Sequence, residues 1–171
     1  ALAKRHGIAL LPYHDPAYPR LLASIYDPPL VLSVLGTLTE AERSDAPPCV
    51  AMVGARRCSV PGRMLAGRLA GELAGAGLTV VSGLARGIDQ AAHQGALDAG
   101  GRTLAVLGSG LLRPYPAEAK PLMAAIARAG AVLSEFPLSA APLKHHFPRR
   151  NRVISGLSRG VRGSTSPAAL A

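Results

Sequence analysis

The chain has 171 residues, with 19 Lys and Arg residues against 10 Asp and Glu residues and a net charge of +9. No apolar run approaches the roughly 20 residues that a membrane-spanning helix needs, and the two cysteines give no disulfide framework. The composition argues against an integral membrane protein and a disulfide-rich secreted protein, and favours one cytoplasmic domain with an aliphatic core.

The positive charge lies almost entirely after residue 48. Residues 1–48 have a net charge of −1, whereas residues 49–171 have a net charge of +10, and sixteen of the nineteen basic residues are Arg. Arginine suits bidentate contacts to phosphate, so this distribution predicts an anionic partner. The alternative is that genomic base composition favours Arg over Lys and that the charges coat a solvated face.

Residues 1–48 stand apart from the pattern that follows. A segment rich in prolines precedes Leu21, Leu22 and Ile25, which have short helical spacing, and residues 30–35 predict a strand. The polar stretch 37–48 is typical of a linker. We interpret residues 1–48 as an extension that packs on the core and adds one strand.

A strand, a basic turn and a helix follow in residues 49–75. Residues 50–53 form a short apolar run that ends at Gly54, and Ser59 is a candidate N-cap for the next helix. Leu65, Leu69 and Leu73 predict the helix face that packs on the sheet. The turn combines free N–H groups, a helix N-terminus, Arg56 and Arg57, and therefore predicts an anion site.

The alternation of strand and helix recurs along the chain. Residues 78–81, 103–107 and 131–133 are further apolar runs, and each is followed by a Gly- or Ser-containing turn. This predicts a doubly wound, mainly parallel Rossmann-like α/β sheet, with ligands beyond the carboxyl ends of its strands. We expect this Rossmann-like domain to span 49–161, with no strand after residue 157 and a disordered or divergent tail over 162–171.

A basic segment with one aromatic residue occupies positions 144–152. Bases that surround Phe147 suit single-stranded nucleic acid, because Lys and Arg bind phosphates while a ring stacks on a base. The alternative is that Phe147 is buried and fixes the loop to the core. We expect a loop here, with a helix starting near Val153.

The sequence contains few candidate catalytic residues and no complete nucleotide-binding motif. Asp89 and His93 are four residues apart on one predicted helix face, but Asp89 suits the first turn, where it would orient His93 or the preceding loop. No P-loop motif occurs, and Gly108, Gly110 and Arg113 have the spacing G-x-G-x-x-R, which fails as a dinucleotide fingerprint. We therefore expect no catalytic residue, no metal site and no cofactor.

Several ordered blocks resemble the DNA-processing protein A family (DprA, also called Smf) between residues 11 and 161. They are V-G-A-R at 53–56, S-G-L-A-R-G-I-D at 82–89 with His93, G-S-G at 108–110 with Tyr115 and Pro116, and F-P-R-R-N-R-V-I-S-G-L-S at 147–158. The resemblance implies a protein without enzymatic activity. Members bind incoming single-stranded DNA in natural transformation, protect it, load the RecA recombinase and form homodimers.

The resemblance also implies site residues. Arg56, Lys144 and Phe147 would form the DNA pocket, and the glycine- and serine-containing loops would bind phosphates. Together with the basic residues of the strand ends and of the 144–152 segment, the predicted DNA-binding residues are Arg56, Arg57, Ser82, Gly83, Arg86, Ser109, Gly110, Lys144, Phe147, Arg149, Arg150 and Arg152.

The alternative function is a Rossmann-like nucleotide phosphoribohydrolase, an enzyme that would need a carboxylate beside the ribose. Besides Asp89, Glu135 is the only carboxylate near a predicted strand end.

Overall fold

The computed structural model describes residues 1–44 and 48–164, which form one seven-stranded sheet with helices on both faces. The strands are β1 Ile8–Pro12, β2 Val31–Gly36, β3 Cys49–Gly54, β4 Thr79–Ser82, β5 Thr103–Val106, β6 Ala131–Ser134 and β7 Gly160–Ser164. The helices are α1 Leu2–Arg5, α2 Arg20–Ala23, α3 Glu40–Ser44, α4 Val60–Gly75, α5 Ile88–Asp98, α6 Lys120–Ala129 and α7 His146–Gly156, and a 3-10 turn spans Ala117–Ala119.

The strand order is β1-β2-β6-β5-β4-β3-β7. The five strands from β6 to β7 are parallel, whereas β1 pairs with β2, and β2 with β6, in antiparallel fashion. The chain runs outward from β3 to β6 and then returns through α7 to place β7 on the other side of β3. The predicted mainly parallel, doubly wound α/β fold is confirmed.

The N-terminal segment contributes two strands to this sheet, where the sequence predicted one. Leu11 pairs with Leu32 in the β1–β2 ladder, and Ser33 pairs with Ser134 across β2 and β6. The predicted linker contains α3, whose Glu42 is buried. Because Glu42 and Thr39 exchange reciprocal hydrogen bonds, α3 begins with a capping box that the acidic composition concealed.

The expectation of no strand after residue 157 was wrong. β7 pairs with β3 from Val50 opposite Gly160 to Gly54 opposite Ser164. Two of its five residues are Gly, so β7 has no apolar run that could signal a strand. The predicted tail over 162–171 therefore begins inside β7, and residues 165–171 lie outside the described residues.

Helix α4 begins as predicted, and two of the three leucines predicted to face the sheet, Leu69 and Leu73, pack half-buried against the core. The Ser59 hydroxyl accepts a hydrogen bond from the Gly62 N–H, which confirms the N-cap. The buried stripe, however, is Ala66, Ala70 and Ala74, while Leu65 is exposed. The helix uses its alanines for the core because it lies very close to α5, where larger side chains have no room.

Alternating strand residues send apolar side chains to both faces of the sheet. Leu104 and Val106 of β5 pack under α2 and α7, and Ala105 packs under α6. A third cluster joins α4 and α5 to β3 and β4. No helix in the described part of the chain has the length and apolar character required to cross a bilayer.

The contact between α4 and α5 yields a stability prediction. A Cβ atom added at Gly95 would lie 2.0 Å from the Gly67 carbonyl oxygen, so Gly95→Ala forces two helices apart. We expect a loss of about 1–3 kcal/mol in the free energy of unfolding, measured by urea titration.

Gly75→Ala is the matched control, because Gly75 also lies in a helix but a Cβ there meets nothing within 4 Å. It should leave stability unchanged or raise it by up to about 1 kcal/mol, as helix propensity favours Ala. Equal losses in the two variants would contradict the tight packing of α4 on α5.

Candidate nucleic-acid interface

The fold creates a crevice at the carboxyl end of β3. Helices α4, α5 and α6 cover one face of the sheet and α7 covers the other. From β3 the chain adds strands toward β6, and it then adds β7 on the opposite side of β3, so the strand order reverses between β3 and β7. Open α/β sheets bind ligands at such a switch point. The turn after β3 carries Arg56 into this crevice, whereas Arg57 is exposed beside it.

A cavity of about 310 Å³ lies there, between the turns after β3 and β4 and the first turns of α7. Its walls combine small apolar groups with charged and amide groups. The lining residues are Val53, Gly54, Arg56, Ala85, Asp89, Lys144, Phe147, Pro148, Arg150 and Asn151. The cavity therefore contains three of the predicted DNA-binding residues that the resemblance singled out.

Helix α7 starts seven residues earlier than predicted, so the basic segment is largely helical and not a loop. Pro148 obscured this in the sequence, but proline is tolerated in the first turn of a helix, where its missing N–H would have no partner. Because Phe147 and Arg150 are three residues apart on α7, they share one helix face, and that face closes the cavity.

Phe147 is neither fully exposed nor buried in the core. One side of its ring packs over Gly108, where an added Cβ would come within 2.9 Å of the ring, and the Tyr115 ring meets it edge-on at 5.7 Å. The Arg56 guanidinium lies over the ring, 4.7 Å from its centroid. The ring thus packs against Gly108 and Tyr115 within the protein and against the exposed Arg56 side chain.

The predicted cations fall into two groups. Arg56, Arg57 and Lys144 are exposed and form no ion pair within the described part of the chain. By contrast, Arg86 is paired with Glu118, and Arg149 and Arg152 are paired with Glu135. The predicted DNA contacts of these three paired arginines stay predictions.

Arg150 is a buried cation, only 4% exposed. Its Nη1 donates hydrogen bonds to the Gly83 carbonyl, at 2.7 Å, and to the Val106 carbonyl. Burial lowers the pKa of its guanidinium to about 10, although nearby Asp89 opposes this, so the group stays charged at neutral pH. Arg150 thus forms the floor of the cavity, and its predicted contact with DNA stays a prediction.

The predicted phosphate-binding Gly and Ser residues support the cavity from behind. The buried Ser82 hydroxyl donates to the Met52 carbonyl at 2.5 Å, and Gly83 provides space for the Arg150 guanidinium. The Ser109 carbonyl accepts from Ser134, and Gly110 packs against the Pro137 and Leu138 carbonyls. None of these four lines the cavity, and their contact with phosphate stays a prediction.

Asp89 fixes the neighbouring turns. Its carboxylate accepts hydrogen bonds from the main-chain N–H groups of Gly54, Gly83 and Ala85, and burial raises its pKa while these donors and Arg150 oppose the rise. His93 is not its partner: the His93 Nδ1 lies 2.7 Å from the Thr103 hydroxyl. The interpretation of Asp89 as orienting the preceding loop therefore agrees with these contacts.

Burial lowers the pKa of His93 to about 3, so its ring is neutral. Since the Thr103 hydroxyl donates to the Val80 carbonyl at 2.8 Å, the His93 Nδ1 carries the proton and donates to Thr103. The residue joins α5 to β4 and β5 inside the core. Within the described residues, no group of His, Cys, Asp and Glu is arranged to hold a metal ion.

A sequence model of the family described as DNA recombination-mediator protein A matches residues 9–162. The chain belongs to this family. It is 39% identical over 161 residues to the DNA processing protein DprA of Bacillus subtilis, and the match covers 94% of the chain and 53% of that protein.

Two solved structures from the family have the same fold. DNA processing protein A of Streptococcus pneumoniae superposes with a TM-score of 0.84 at 41% identity, covering 94% of this chain and 56% of that one. The Helicobacter pylori protein, studied for its single-stranded DNA binding mode, gives a TM-score of 0.81 at 30% identity over 94% of this chain and 70% of that one. The chain therefore spans little more than half of the first two relatives.

Sequence reasoning missed part of the cavity of this family member. Gly54, Pro148 and Asn151 line it, although none was predicted as a site residue. Asn151 lies inside the basic segment, so its position was the available signal. Its Oδ1 accepts from the Arg150 Nε at 3.1 Å, which leaves the amide N–H groups for a ligand.

The two classes of arginine predict different stability effects. Arg150→Ala would leave the Gly83 and Val106 carbonyls without their buried donor. We expect the free energy of unfolding, measured by urea titration, to fall by about 2 kcal/mol or more.

Arg57→Ala serves as the control, because Arg57 is exposed in the turn after β3. Its free energy of unfolding should stay within about 0.5 kcal/mol of the wild type. If Arg150→Ala were equally harmless, the buried guanidinium would not hold α7 on the sheet.

Proposed function

We propose that this protein binds single-stranded DNA in the cavity at the head of α7. The observation that carries the proposal is the Phe147 ring, which lines the cavity, packs against Gly108 and Tyr115, and has the exposed Arg56 guanidinium over it. An unpaired base can stack on that ring while nearby cations contact its phosphates.

Binding requires Arg56 to leave the ring, and the magnitudes favour that exchange. An exposed cation–π contact contributes about 0.5–1 kcal/mol, whereas stacking of a base on an aromatic side chain contributes about 1–3 kcal/mol. The displaced guanidinium then gains a phosphate, for which its planar donors are suited. Arg56 thus covers the ring in the free protein and contacts DNA in the complex.

The shape of the cavity favours single strands over duplex. A base in a duplex is stacked and paired, so it can reach Phe147 only if it is flipped out, at a cost of a few kcal/mol. A base in a single strand is already accessible. The cavity of about 310 Å³ also lies in a crevice between turns and offers no exposed recognition helix for a major groove.

We extend the proposal to the cellular role of the family. The protein would protect incoming single-stranded DNA in the cytoplasm during natural transformation and pass it to RecA, acting as a homodimer. Membership of the DNA recombination-mediator family supports this role. The Helicobacter pylori relative, studied for its single-stranded DNA binding mode, supports the ligand.

We also propose that the protein is not an enzyme. The phosphoribohydrolase alternative needs a free carboxylate near a strand end. Glu135 instead forms a bidentate pair with Arg152, at 3.0 and 2.7 Å, and a further pair with Arg149. Asp89 accepts hydrogen bonds from three main-chain N–H groups, which supports a positioning role for this carboxylate.

The salt dependence of binding tests the role of Lys144. For single strands the logarithm of affinity falls with the logarithm of salt concentration by about 0.7 per phosphate neutralised. Lys144→Ala should therefore make the slope shallower by about 0.7, measured by fluorescence anisotropy with labelled oligo-dT.

Lys4→Ala is the control, since Lys4 is exposed on α1 at the opposite edge of the sheet. Its slope should equal that of the wild type. A wild-type titration without salt dependence, or tighter binding to duplex than to oligo-dT, would refute the proposed function.

The stacking role of Phe147 makes a separate prediction. Phe147→Ala should weaken oligo-dT binding by about 1–3 kcal/mol with the salt slope unchanged, because no charge is removed. Phe147→Leu should recover stability but not affinity, since Leu restores apolar contact without a flat ring.

Leu143→Ala removes an exposed apolar side chain close to the same segment and should leave affinity unchanged. A thermal melt separates binding from folding. A Phe147→Ala protein that melts far lower but binds oligo-dT normally in the cold would make the ring a structural residue only.

A further inference from the structure

A second recess lies outside the cavity, along the outer surface of α5. We name it the α5 groove. Its volume is about 740 Å³, and its walls are α4 on one side and Leu122 of α6 on the other. The polar side chains that line it are Arg63, Arg68, Gln90, Gln94 and Asp98.

Three glycines create the groove. The helices approach so closely that a Cβ at Gly95 would lie 2.0 Å from the Gly67 carbonyl oxygen, and one at Gly71 would lie 3.1 Å from the Gly95 carbonyl oxygen. Because these positions have no side chains, α5 lies deep between its neighbours and its main chain forms the floor. The groove is therefore a permanent feature of the helix packing.

The end of the groove beside the first turns of α4 and α5, which we call its upper end, adjoins the turn that carries Arg56. Gly87, which lines the groove, has a positive φ of 85°, and a Cβ there would lie 2.4 Å from the Ala55 carbonyl oxygen and 2.8 Å from that of Arg56. The Ile88 N–H donates to the same Ala55 carbonyl at 3.3 Å. A ligand that leaves the cavity over Arg56 therefore reaches the groove directly.

The charge of the groove changes along its length. Its upper part has Arg63 in the first turn of α4, which makes no ion pair within the described residues, and Gln90. Arg68 follows, with Glu72 at 3.6 Å. The lower end has Asp98, whose carboxylate accepts from the Gln94 amide at 2.7 Å. The upper half thus suits an anion and the lower end repels one.

We propose that the α5 groove binds the phosphate backbone of the strand beyond the nucleotide stacked on Phe147, with Arg63 as its principal contact and Arg68 as a weaker one. This rests on the proposed function. Glu72 reduces the contribution of Arg68, because its carboxylate competes with phosphate for the same guanidinium. The strand leaves the groove before Asp98.

A single strand suits the groove better than a partner helix does. A helix docked in a groove buries an apolar face, but this groove has arginines and glutamines along its walls. Both α4 and α5 begin at the upper end of the groove, and each helix N-terminus adds partial positive charge there. A polyanion matches that potential.

Oligonucleotide length separates the groove from the cavity. We would measure binding of oligo-dT of about 4 and about 16 nucleotides, the range over which single-strand sites vary in size. Arg63→Ala should weaken binding of the longer strand and make its salt slope shallower by about 0.7, but leave the short strand unaffected. Glu72→Gln should tighten binding of the longer strand only, because it frees Arg68.

Arg128→Ala is the matched control, since Arg128 is exposed in the last turn of α6 and does not line the groove. Arg128→Ala should change the affinity for neither the short nor the long oligo-dT. The proposed role of the groove would be wrong if Arg63→Ala weakened binding of both oligonucleotide lengths equally, or of neither. It would also be wrong if the groove bound an apolar helical peptide with an affinity that Arg63→Ala did not change. If the wild type binds neither strand, the proposed function itself fails.

Discussion

The Arg150 guanidinium is the contact on which the site depends. It comes from α7, yet its hydrogen bonds end on the carbonyls of Gly83 and Val106, at the carboxyl ends of β4 and β5. A buried cation without such partners would cost several kcal/mol, so the helix is held at the one position where both carbonyls are within reach. Phe147 and Asn151, on neighbouring turns, are positioned by the same contact.

Two carboxylates complete this support. Asp89 holds the turns after β3 and β4 together through three N–H groups, and Glu135 holds α7 to the end of β6 through Arg152. Arg152 also reaches Asp27 of the N-terminal segment at 3.1 Å. At the amino ends of β4 and β5, the buried Glu42 carboxylate accepts hydrogen bonds from Arg102 and the Thr79 hydroxyl. The N-terminal segment is thereby tied to both ends of the parallel strands.

Local patterns predicted the elements whose signals are local. The apolar runs of β3 to β6 and the Ser59 cap were read directly, because burial of a parallel strand and the capping of a helix depend on adjacent residues. β7 and the start of α7 were missed. β7 is stabilised by main-chain pairing with the edge of β3, a contact that its own residues do not signal. The first turns of α7, which begin before Pro148, are fixed on the sheet by Arg150.

The role of each arginine could not be predicted from the sequence either, because it depends on contacts with residues that are distant in the chain. Arg149, Arg150 and Arg152 are near neighbours in one basic segment, but their partners Glu135, Gly83, Val106 and Asp27 are distant in sequence. Composition counts all of these charges as available to DNA. The structure shows that Arg150 is used inside the protein and that Arg149 and Arg152 share one carboxylate, Glu135.

The charge that remains suits the polyanion that we propose as the ligand, although the surface is not uniformly basic. Arg56 and Lys144 line the cavity beside the Phe147 ring, Arg57 is exposed in the same turn as Arg56, and the arginines paired with Glu135 hold α7 on the sheet. Rigid placement matters because a base gains stacking energy only when the ring is already fixed, whereas an exposed cation can follow the phosphate. The division between buried, paired and exposed cations is therefore a division between positioning the site and contacting the ligand.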